Sequence, residues 1–324
     1  MAAQRTILVT AAAGNIGSEL VPQLLSHDGI KVVLPTSNAE RLKSKLPSTA
    51  SAGNTAIEQG NIKDAQWIQS LLTTHNVDSV FLCLTGSDEI FTTLNFLDAM
   101  QRAGTVKHLV YLSACGDYVS PEGFRNLLSI CSAGHVLVKP LIEQKLAYAE
   151  FPWTTTVLGP TLFMSNDVRS KGSMLKDGFF DEPLGTKGVS RVNTSDIALA
   201  ACNAFLATEK WGGKKVMIGS LRRFTDSDVT ALWSTALGGK AINMCRSDEA
   251  GLLSFENHFE SMIGGGRPNA EKSGWGRDLR MMYEMFEKVG FGMSEQEYGE
   301  QVKLLGKEPE EYEAWVQRTG QSWI

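Results

Sequence analysis

The sequence contains no long apolar run, and this absence bears on where the chain can reside. A membrane-spanning helix needs about 20 consecutive apolar residues, and the sequence has no uninterrupted run of even about 18. The first strand-like segment starts within six residues of the N-terminus, which leaves no room for a signal peptide. We therefore expect a cytoplasmic protein with no membrane partner.

An excess of positive charge is also absent. The formal net charge is −5, which argues against a surface that binds nucleic acid. Cysteine is scarce: the five residues are an odd number and lack the spacing of metal ligands, so no metal site is expected. We interpret them as buried thiols in a reducing compartment, with a catalytic or redox-sensing cysteine as the alternative. The cysteines are Cys83, Cys115, Cys131, Cys202 and Cys245.

What the sequence does contain is a regular alternation of short β-branched runs and amphipathic stretches over its first 160 residues. This alternation predicts an α/β fold with a doubly wound parallel sheet, because right-handed crossover helices join parallel strands. The predicted strands are Thr6–Thr10, Lys31–Pro35, Ala56–Gln59, Ser79–Thr85, His108–Ser113 and Thr154–Leu158. The predicted helices are Ile16–Ser26, Ala65–Thr74, Glu89–Ala103 and Pro140–Glu150.

The alternation weakens after the sixth strand. Residues 161–190 are rich in Gly, Lys, Asp and Phe, a composition that predicts a loop or lid. A helix is predicted after Asp196, with Ser195 or Asp196 as its N-cap, and a strand at Lys215–Ile218. From Thr225 onward the pattern is mainly helical.

The turn between the first strand and the first helix is the most informative motif. It runs from Ala11 to Gly17 and places small residues directly before a helix N-terminus. Backbone N–H groups and the positive helix end at such a turn hold a pyrophosphate. The usual fingerprint has three glycines, and Ala11 occupies the place of the first, with less access to positive φ. We predict that Ala11, Gly14, Asn15, Ile16 and Gly17 bind a nucleotide; a strand–turn–helix without ligand is the alternative.

The end of the second strand distinguishes NAD from NADP. An acidic residue there would bind the ribose 2′-hydroxyl, whereas this sequence has Ser37 and Asn38, followed by Arg41. Hydroxyl and amide groups near a cation suit a 2′-phosphate, so we predict NADP with Arg41 as the principal cation. The alternative is an ordinary basic helix face, to which Lys43 and Lys45 would belong.

Further strand ends are predicted to face the cofactor. Asn61 and Ile62, after the third strand, would line the adenine pocket, and Leu84 and Thr85 would meet a cofactor ribose. Ser113 ends the fifth strand beside the expected nicotinamide, where a hydroxyl can hydrogen-bond a substrate carbonyl. Strand-end capping is the alternative for these residues.

Six motifs are spread over nearly the whole chain, namely Ile7–Gly17, Lys139…Glu143, Trp153–Pro160, Phe163-Met164…Asn166, Val192–Ala198 and Leu304–Pro309. Together they resemble the short-chain dehydrogenase/reductase superfamily, in its atypical NmrA-like branch. Their order and spacing carry the resemblance. It implies a Rossmann core, a smaller, mainly helical C-terminal substrate lobe and a cleft between them. We accordingly expect residues 1–160 plus about 190–220 to form the NAD(P)-binding domain, and 161–189 plus 221–324 to form the lobe.

In reductases of that superfamily a Ser–Tyr–Lys set performs the proton transfer, and the lysine also holds the nicotinamide ribose. By position Ser113 and Lys139 match this set, whereas His135 stands in the place of the tyrosine. A histidine is a competent acid or base near neutrality, so His135 joins Lys139 and Ser113 as a candidate catalytic residue. A packed or capping histidine is the alternative.

Pro140 leaves two arrangements of this region open. If the helix begins at Pro140, His135 lies outside it and does not share a face with Lys139. If the helix runs through, Pro140 removes the bond to the carbonyl of Val136 and kinks the helix. Lys139 can anchor a ribose or phosphate in both arrangements, whereas His135 can donate a proton only in the second.

Phe163 follows the sixth strand, where the chain is expected to cross the cleft. We predict that Phe163 borders the cofactor and that it shapes an apolar substrate pocket together with Met164, Asn166, Phe179 and Phe180. The alternative is that these side chains join the two lobes.

Three functions stay open. The first is an NADP-dependent oxidoreductase that reduces a small or medium, partly aromatic carbonyl or enone. The second, implied by the NmrA-like branch, is a cofactor-binding regulator that senses dinucleotide redox state without turnover. The third is a non-redox lyase or isomerase with His135 as base, since a fold does not determine chemistry. The expected partner is a small-molecule substrate, and a homodimer is left open.

Overall fold

The computed structural model describes residues 5–46, 48, 50, 51, 53–84, 88–264 and 273–324. Its strands, in chain order, are β1 (Arg5–Val9), β2 (Ile30–Thr36), β3 (Thr55–Gln59), β4 (Ser79–Leu82), β5 (His108–Leu112), β6 (Thr154–Pro160), β7 (Leu162–Phe163), β8 (Phe179–Phe180), β9 (Val189–Val192), β10 (Lys215–Ile218), β11 (Arg223–Phe224) and β12 (Asn243–Met244).

The helices, in chain order, are α1 (Gly17–Leu25), α2 (Ala39–Lys43), α3 (Ala65–Thr74), α4 (Glu89–Ala103), α5 (Pro121–Ile130), α6 (Gly134–Tyr148), α7 (Lys171–Asp177), α8 (Thr194–Leu206), α9 (Thr208–Trp211), α10 (Asp226–Ala236), α11 (Glu249–Ile263), α12 (Trp275–Val289), α13 (Glu295–Leu305) and α14 (Tyr312–Gln321). A 3₁₀ helix covers Met164–Ser170. In the described part of the chain, no helix is long and apolar enough to cross a membrane.

Seven of the strands form one parallel sheet in the order β10-β6-β5-β4-β1-β2-β3. From β1 the chain builds outward through β2 and β3, and then returns to the other side of β1 with β4. The strand order therefore reverses between β1 and β4, and the crevice at their carboxyl ends is where such sheets bind ligands. The predicted doubly wound parallel sheet is confirmed.

The sequence of β1 explains why this strand lies at the centre. Ile7, Leu8 and Val9 are all fully buried, which requires cover on both faces of the sheet. Ile7 and Val9 belong to the core formed with α1 and α8, whereas Leu8 belongs to the core formed with α3 and α4. The continuous apolar run of β1 is thus the pattern of an inner parallel strand.

A third core is formed by the C-terminal helices α10, α12 and α14, and it confirms the predicted helical C-terminal region. Its largest buried side chains include Trp233, Tyr283 and Tyr312. The segment predicted as a loop or lid consists instead of short strands, a 3₁₀ helix and α7. It is ordered in this way because apolar side chains such as Phe180, which is fully buried, pack into the third core.

Helix α13 lies against the edge of the seven-stranded sheet, on α8 and β10. Leu304 and Leu305 pack into the same core as α1 and α8. The predicted division had assigned this helix to the C-terminal lobe; that division stays a prediction, and α13 contributes side chains to the core of the sheet.

Helix α6 covers Gly134–Tyr148 and runs through Pro140, so the predicted start at Pro140 is wrong. His135 and Lys139 consequently lie one turn apart on one face of the helix. The first N–H group of α6 donates to a carboxylate oxygen of Asp278 on α12, at 2.5 Å. Because Asp278 is distant in sequence, a local pattern could not indicate this helix start.

The remaining differences concern the end of one strand and helices that the sequence interpretation did not predict. Strand β4 ends at Leu82, short of its predicted end at Thr85, and Thr85 lies outside the described residues. The sequence interpretation missed α2 and α5, although α5 has a recognisable start signal. Ser120 caps α5 through the N–H of Gly123, and Pro121 occupies the first helical position.

Candidate functional site

The turn after β1 folds back closely on the strand. Ala11 has a φ of 51°, so this alanine takes the left-handed conformation for which a glycine was expected, at a cost of about 1–2 kcal/mol. A Cβ atom on Gly17 would lie 2.3 Å from the carbonyl oxygen of Ala11 and 2.6 Å from the Cα atom of Ala12. Only glycine therefore lets α1 begin so near β1, with its free N–H groups at the carboxyl end of the strand.

A first cavity of about 490 Å³ lies at the carboxyl ends of β1, β2 and β3. Six of the predicted cofactor residues line it together: Ala11, Gly14, Ser37, Asn61, Ile62 and Leu84. Thr36 and Cys83 contribute further to its wall. The structure thus brings residues from four separate strand ends to one cavity at the reversal of strand order.

The other predicted cofactor residues lie outside the wall of this cavity. Asn15 is exposed, and Ile16 is buried in the core with α1. Asn38 caps α2, since its side-chain oxygen accepts a hydrogen bond from the N–H of Arg41 at 2.9 Å. Phe163 is half-buried against the core of α1 and α8.

Arg41 is exposed on α2, and no ion pair engages its guanidinium among the described residues. The neighbouring Lys43 is paired with Glu40 at 2.8 Å on the helix surface. Arg41 is therefore the cation of this helix whose side chain is open to a ligand, whereas Lys43 fits the alternative of a solvent-facing basic helix.

Lys139 forms a buried ion pair with Glu89, the first residue of α4. The Lys139 Nζ atom lies 2.5 Å from Glu89 Oε1 and 3.3 Å from the carbonyl oxygen of Leu112 at the end of β5. Burial raises the pKa of Glu89, and the charge of Lys139 opposes that shift. The pair fixes the lysine at the carboxyl edge of the sheet. Sequence reasoning missed Glu89, because an acidic residue in a first helical turn is common.

A second buried cluster surrounds Glu143, one turn further along α6. Its carboxylate accepts hydrogen bonds from the Ser113 hydroxyl and from Lys215 Nζ, the latter at 2.7 and 2.9 Å. Burial raises the pKa of Glu143 and lowers that of Lys215. Ser113 is thus engaged by Glu143 and lines neither the first cavity nor the second, described next. No sequence signal linked Lys215 of β10 to this cluster.

A second cavity of about 430 Å³ lies where α4, α6 and the start of α12 meet. Neighbouring parts of the chain line the two cavities. Cys83 and Leu84 line the first cavity, and Glu89 and Ile90, at the start of α4, line the second. Its wall is largely apolar and includes the rings of His135 and Trp275. The lining residues are Glu89, Ile90, Gly134, His135, Leu137, Val138, Leu141, Ser273, Gly274, Trp275 and Asp278.

His135 and Asp278 lie side by side in the wall of this second cavity. His135 Nδ1 is hydrogen-bonded to Asp278 Oδ2, and in the described ranges no hydrogen bond engages its Nε2 atom. Burial opposes ionisation of Asp278, but hydrogen bonds from the imidazole and from two backbone N–H groups hold its pKa below the usual range. A histidine oriented by a carboxylate in this way is equipped to transfer a proton.

The strand order, with a glycine-dependent turn at its reversal, defines a protein of the Rossmann-type, doubly wound class. The chain belongs to the NmrA-like family, whose model matches residues 3–263. The family resemblance expected from the sequence motifs is thereby confirmed.

Among curated relatives, an oxidoreductase named nsrR from Aspergillus novofumigatus is 27% identical over 198 residues, which cover 56% of this chain and 74% of the relative. An NADPH complex of the quinone oxidoreductase QOR2 from Escherichia coli has a TM-score of 0.75 and 18% identity, and covers 97% of this chain and 99% of that one. The transcriptional regulator NmrA in complex with NADP has a TM-score of 0.66 and 16% identity, with 97% and 94% covered. Similarity at this level establishes the shared fold.

Proposed function

We propose that the protein is an NADP-dependent oxidoreductase that reduces a small or medium, partly aromatic carbonyl or enone. The observation that carries the proposal is the arrangement on one face of α6, where His135 lines the second cavity and Lys139 is buried at the end of β5. The names of the relatives nsrR and QOR2 support the same class of activity.

The residues of the first cavity fit the adenosine half of a dinucleotide. The backbone of the turn approaches α1 so closely that a Cβ on Gly17 would collide with it, which leaves the helix N-terminus open to a pyrophosphate. Ser37 and Leu42 line the cavity, and Arg41, which precedes Leu42 on α2, has no ion pair within the described part of the chain. We therefore assign the 2′-phosphate of NADP to Ser37 and Arg41.

Lys139 and His135 would act at the nicotinamide end. The chemistry that a bound NADPH would supply there is hydride donation for the reduction of a carbonyl carbon. Lys139 would hold the adjacent ribose through its ammonium group, which Glu89 keeps in place. The Nε2–H group of protonated His135 would donate its proton to the carbonyl oxygen, and Trp275 would provide an apolar wall for an aromatic ring.

The decisive experiment measures binding and turnover separately. We expect purified protein to bind NADPH more tightly than NADH in a fluorescence titration, and to oxidise NADPH in the presence of a quinone or another carbonyl from a broad panel. Failure to bind either dinucleotide would exclude the proposal. Binding without turnover of any carbonyl would instead favour a redox-sensing regulator, the alternative to which the fold similarity with NmrA lends support.

Lys139→Met tests the anchor, and we expect it to weaken NADPH binding at least about tenfold, the equivalent of about 1.4 kcal/mol. The variant also leaves Glu89 buried without its partner, which destabilises the fold by itself. The double variant Lys139→Met/Glu89→Gln removes that buried charge and should recover stability without recovering affinity. Equal recovery of both would show that Lys139 supports the fold and does not hold the cofactor.

We also propose a homodimer in the cytoplasm. The adjacent helices α4 and α6 expose large apolar side chains, namely Phe91, Leu94 and Tyr148. All five cysteines are free thiols, which suits a reducing compartment. Sedimentation equilibrium of the purified protein would test the dimer.

A further inference from the structure

We propose that Asp278 is the positioning residue for His135: it turns Nδ1 of the imidazole toward the C-terminal helices and leaves Nε2 for the second cavity. The inference rests on the proposed function, since it concerns the group that would protonate the substrate oxygen. It adds a residue that neither the sequence motifs nor the family resemblance indicated.

The geometry joins Asp278 to the first turn of α6 at three points. Its Oδ1 atom accepts a hydrogen bond from the N–H of Gly134 at 2.5 Å, and its Oδ2 atom contacts both the N–H of His135 at 3.5 Å and the imidazole Nδ1. One carboxylate from α12 therefore fixes the start of the helix and the orientation of the ring that the helix carries.

A carboxylate accepts hydrogen bonds and does not donate them, so His135 Nδ1 must carry a proton while Asp278 is ionised. In the neutral imidazole the Nε2 atom is then free of hydrogen, and in the cation it carries the proton that can be transferred. Asp278 thus sets which nitrogen exchanges protons with the cavity. Its lowered pKa agrees with ionisation over the neutral range.

The charged groups around the imidazole support the same assignment. Among the described residues, Asp278 approaches His135 from α12, Glu89 from α4 and Lys139 from its own helix. Glu89 is already paired with Lys139, so Asp278 is the counter-ion available to a protonated imidazole. Trp275 lies on another side, with its ring centroid 6.0 Å from that of His135.

Asp278→Asn changes this chemistry with little change of shape. If the remaining side-chain oxygen stays on the N–H of Gly134, the new NH₂ group faces His135 Nδ1 and donates to it. The proton of the imidazole then moves to Nε2, and the cation loses its counter-ion. We expect kcat for NADPH oxidation with menadione to fall about 100-fold, the Kd for NADPH to stay unchanged, and the alkaline limb of the pH–rate profile to move to lower pH.

A double-mutant cycle separates positioning from a structural role. If Asp278 acts through His135, the substitution Asp278→Asn should change kcat by less than about twofold when His135→Asn is already present. If Asp278 only stabilises the fold, its 100-fold effect should persist in the His135→Asn background. The second result would overturn the proposal.

A measurement without substrate keeps this inference distinct from the proposed function. In ¹⁵N NMR spectra of the protein at alkaline pH, we expect His135 to be the Nδ1–H tautomer in the wild type and the Nε2–H tautomer in Asp278→Asn. An Nε2–H tautomer in the wild type contradicts the positioning role, whatever the activity. If menadione is not reduced while the expected tautomers are seen, the reductase proposal fails and the orientation of His135 by Asp278 stands.

Discussion

At the scale of single residues, Gly17 is the position in the turn after β1 that tolerates least change. The Cβ of Gly17→Ala would meet backbone atoms of Ala11 and Ala12 at 2.3 and 2.6 Å, so α1 must move away from β1. We expect a loss of about 1–3 kcal/mol in the free energy of unfolding, measured in urea, together with weaker NADPH binding.

Gly299→Ala is the matched control, because it adds the same methyl group inside α13, where no atom beyond the adjoining residues and the helix's own backbone lies within 4 Å. That substitution should stabilise the protein by up to about 1 kcal/mol through helix propensity. If both variants lose stability equally, the close approach at Gly17 is not the cause.

Single residues also show the limits of sequence interpretation. Alanine in place of the first glycine made the fingerprint harder to recognise. Ala11 nevertheless adopts the positive φ, since a methyl group makes that conformation costly without forbidding it. The predicted N-cap of α8 at Ser195 or Asp196 is wrong: Asn193 caps that helix. Asp196 instead accepts hydrogen bonds from Lys307 Nζ and the N–H of Glu310, partners that only the tertiary fold brings near.

At the scale of elements, long amphipathic segments were predictable and contacts between elements were not. Helices α3 and α4 and strand β10 match their predicted bounds, since each has a clear apolar period and an obvious start or end. The N–H group at the start of α6 and the imidazole of His135 both bond to Asp278, more than 140 positions away, so neither the helix bound nor this contact was predictable from the local sequence.

The side chain of His108, on β5, forms hydrogen bonds to both β6 and α9. Its ring nitrogens contact the hydroxyls of Thr156 at 2.9 Å and Thr208 at 3.0 Å, and burial lowers its pKa from 6.5 to about 4. Between these two pH values the unfolded chain binds a proton that the folded protein does not, so the free energy of unfolding falls as the pH is lowered. The full effect is about 3 kcal/mol.

The measurement compares urea unfolding of wild type and His108→Gln at pH values across that window. We expect the stability of wild type to decrease more steeply with acid than that of the variant, with His27→Gln, at an exposed histidine, behaving like wild type. Parallel curves for wild type and His108→Gln would contradict the prediction.

At the scale of the whole molecule, α13 connects the end of the chain to the edge strand of the sheet. Gln301 is fully buried; its Oε1 accepts from the N–H of Gly219 at 2.8 Å, and its Nε2 donates to the carbonyl of Gly219 at 2.6 Å. The sequence predicted a helical C-terminal region but not that this helix would pack on β10, because its contacts with α8 and β10 span much of the chain.

Gln301→Glu tests whether this connection supports the sheet. An ionised Glu cannot donate to the carbonyl of Gly219, and it places an unpaired charge in a buried site, so we expect a loss of about 2 kcal/mol or more at neutral pH. A protonated Glu can both accept and donate, and its pKa is raised by the same burial; the deficit should therefore shrink as the pH is lowered. Faster amide exchange in β10 would locate the effect at the sheet edge, whereas Gln321→Glu, on the exposed end of α14, should change neither quantity. A deficit that is independent of pH, or exchange confined to the C-terminal helices, would show that α13 is not coupled to the sheet through Gln301.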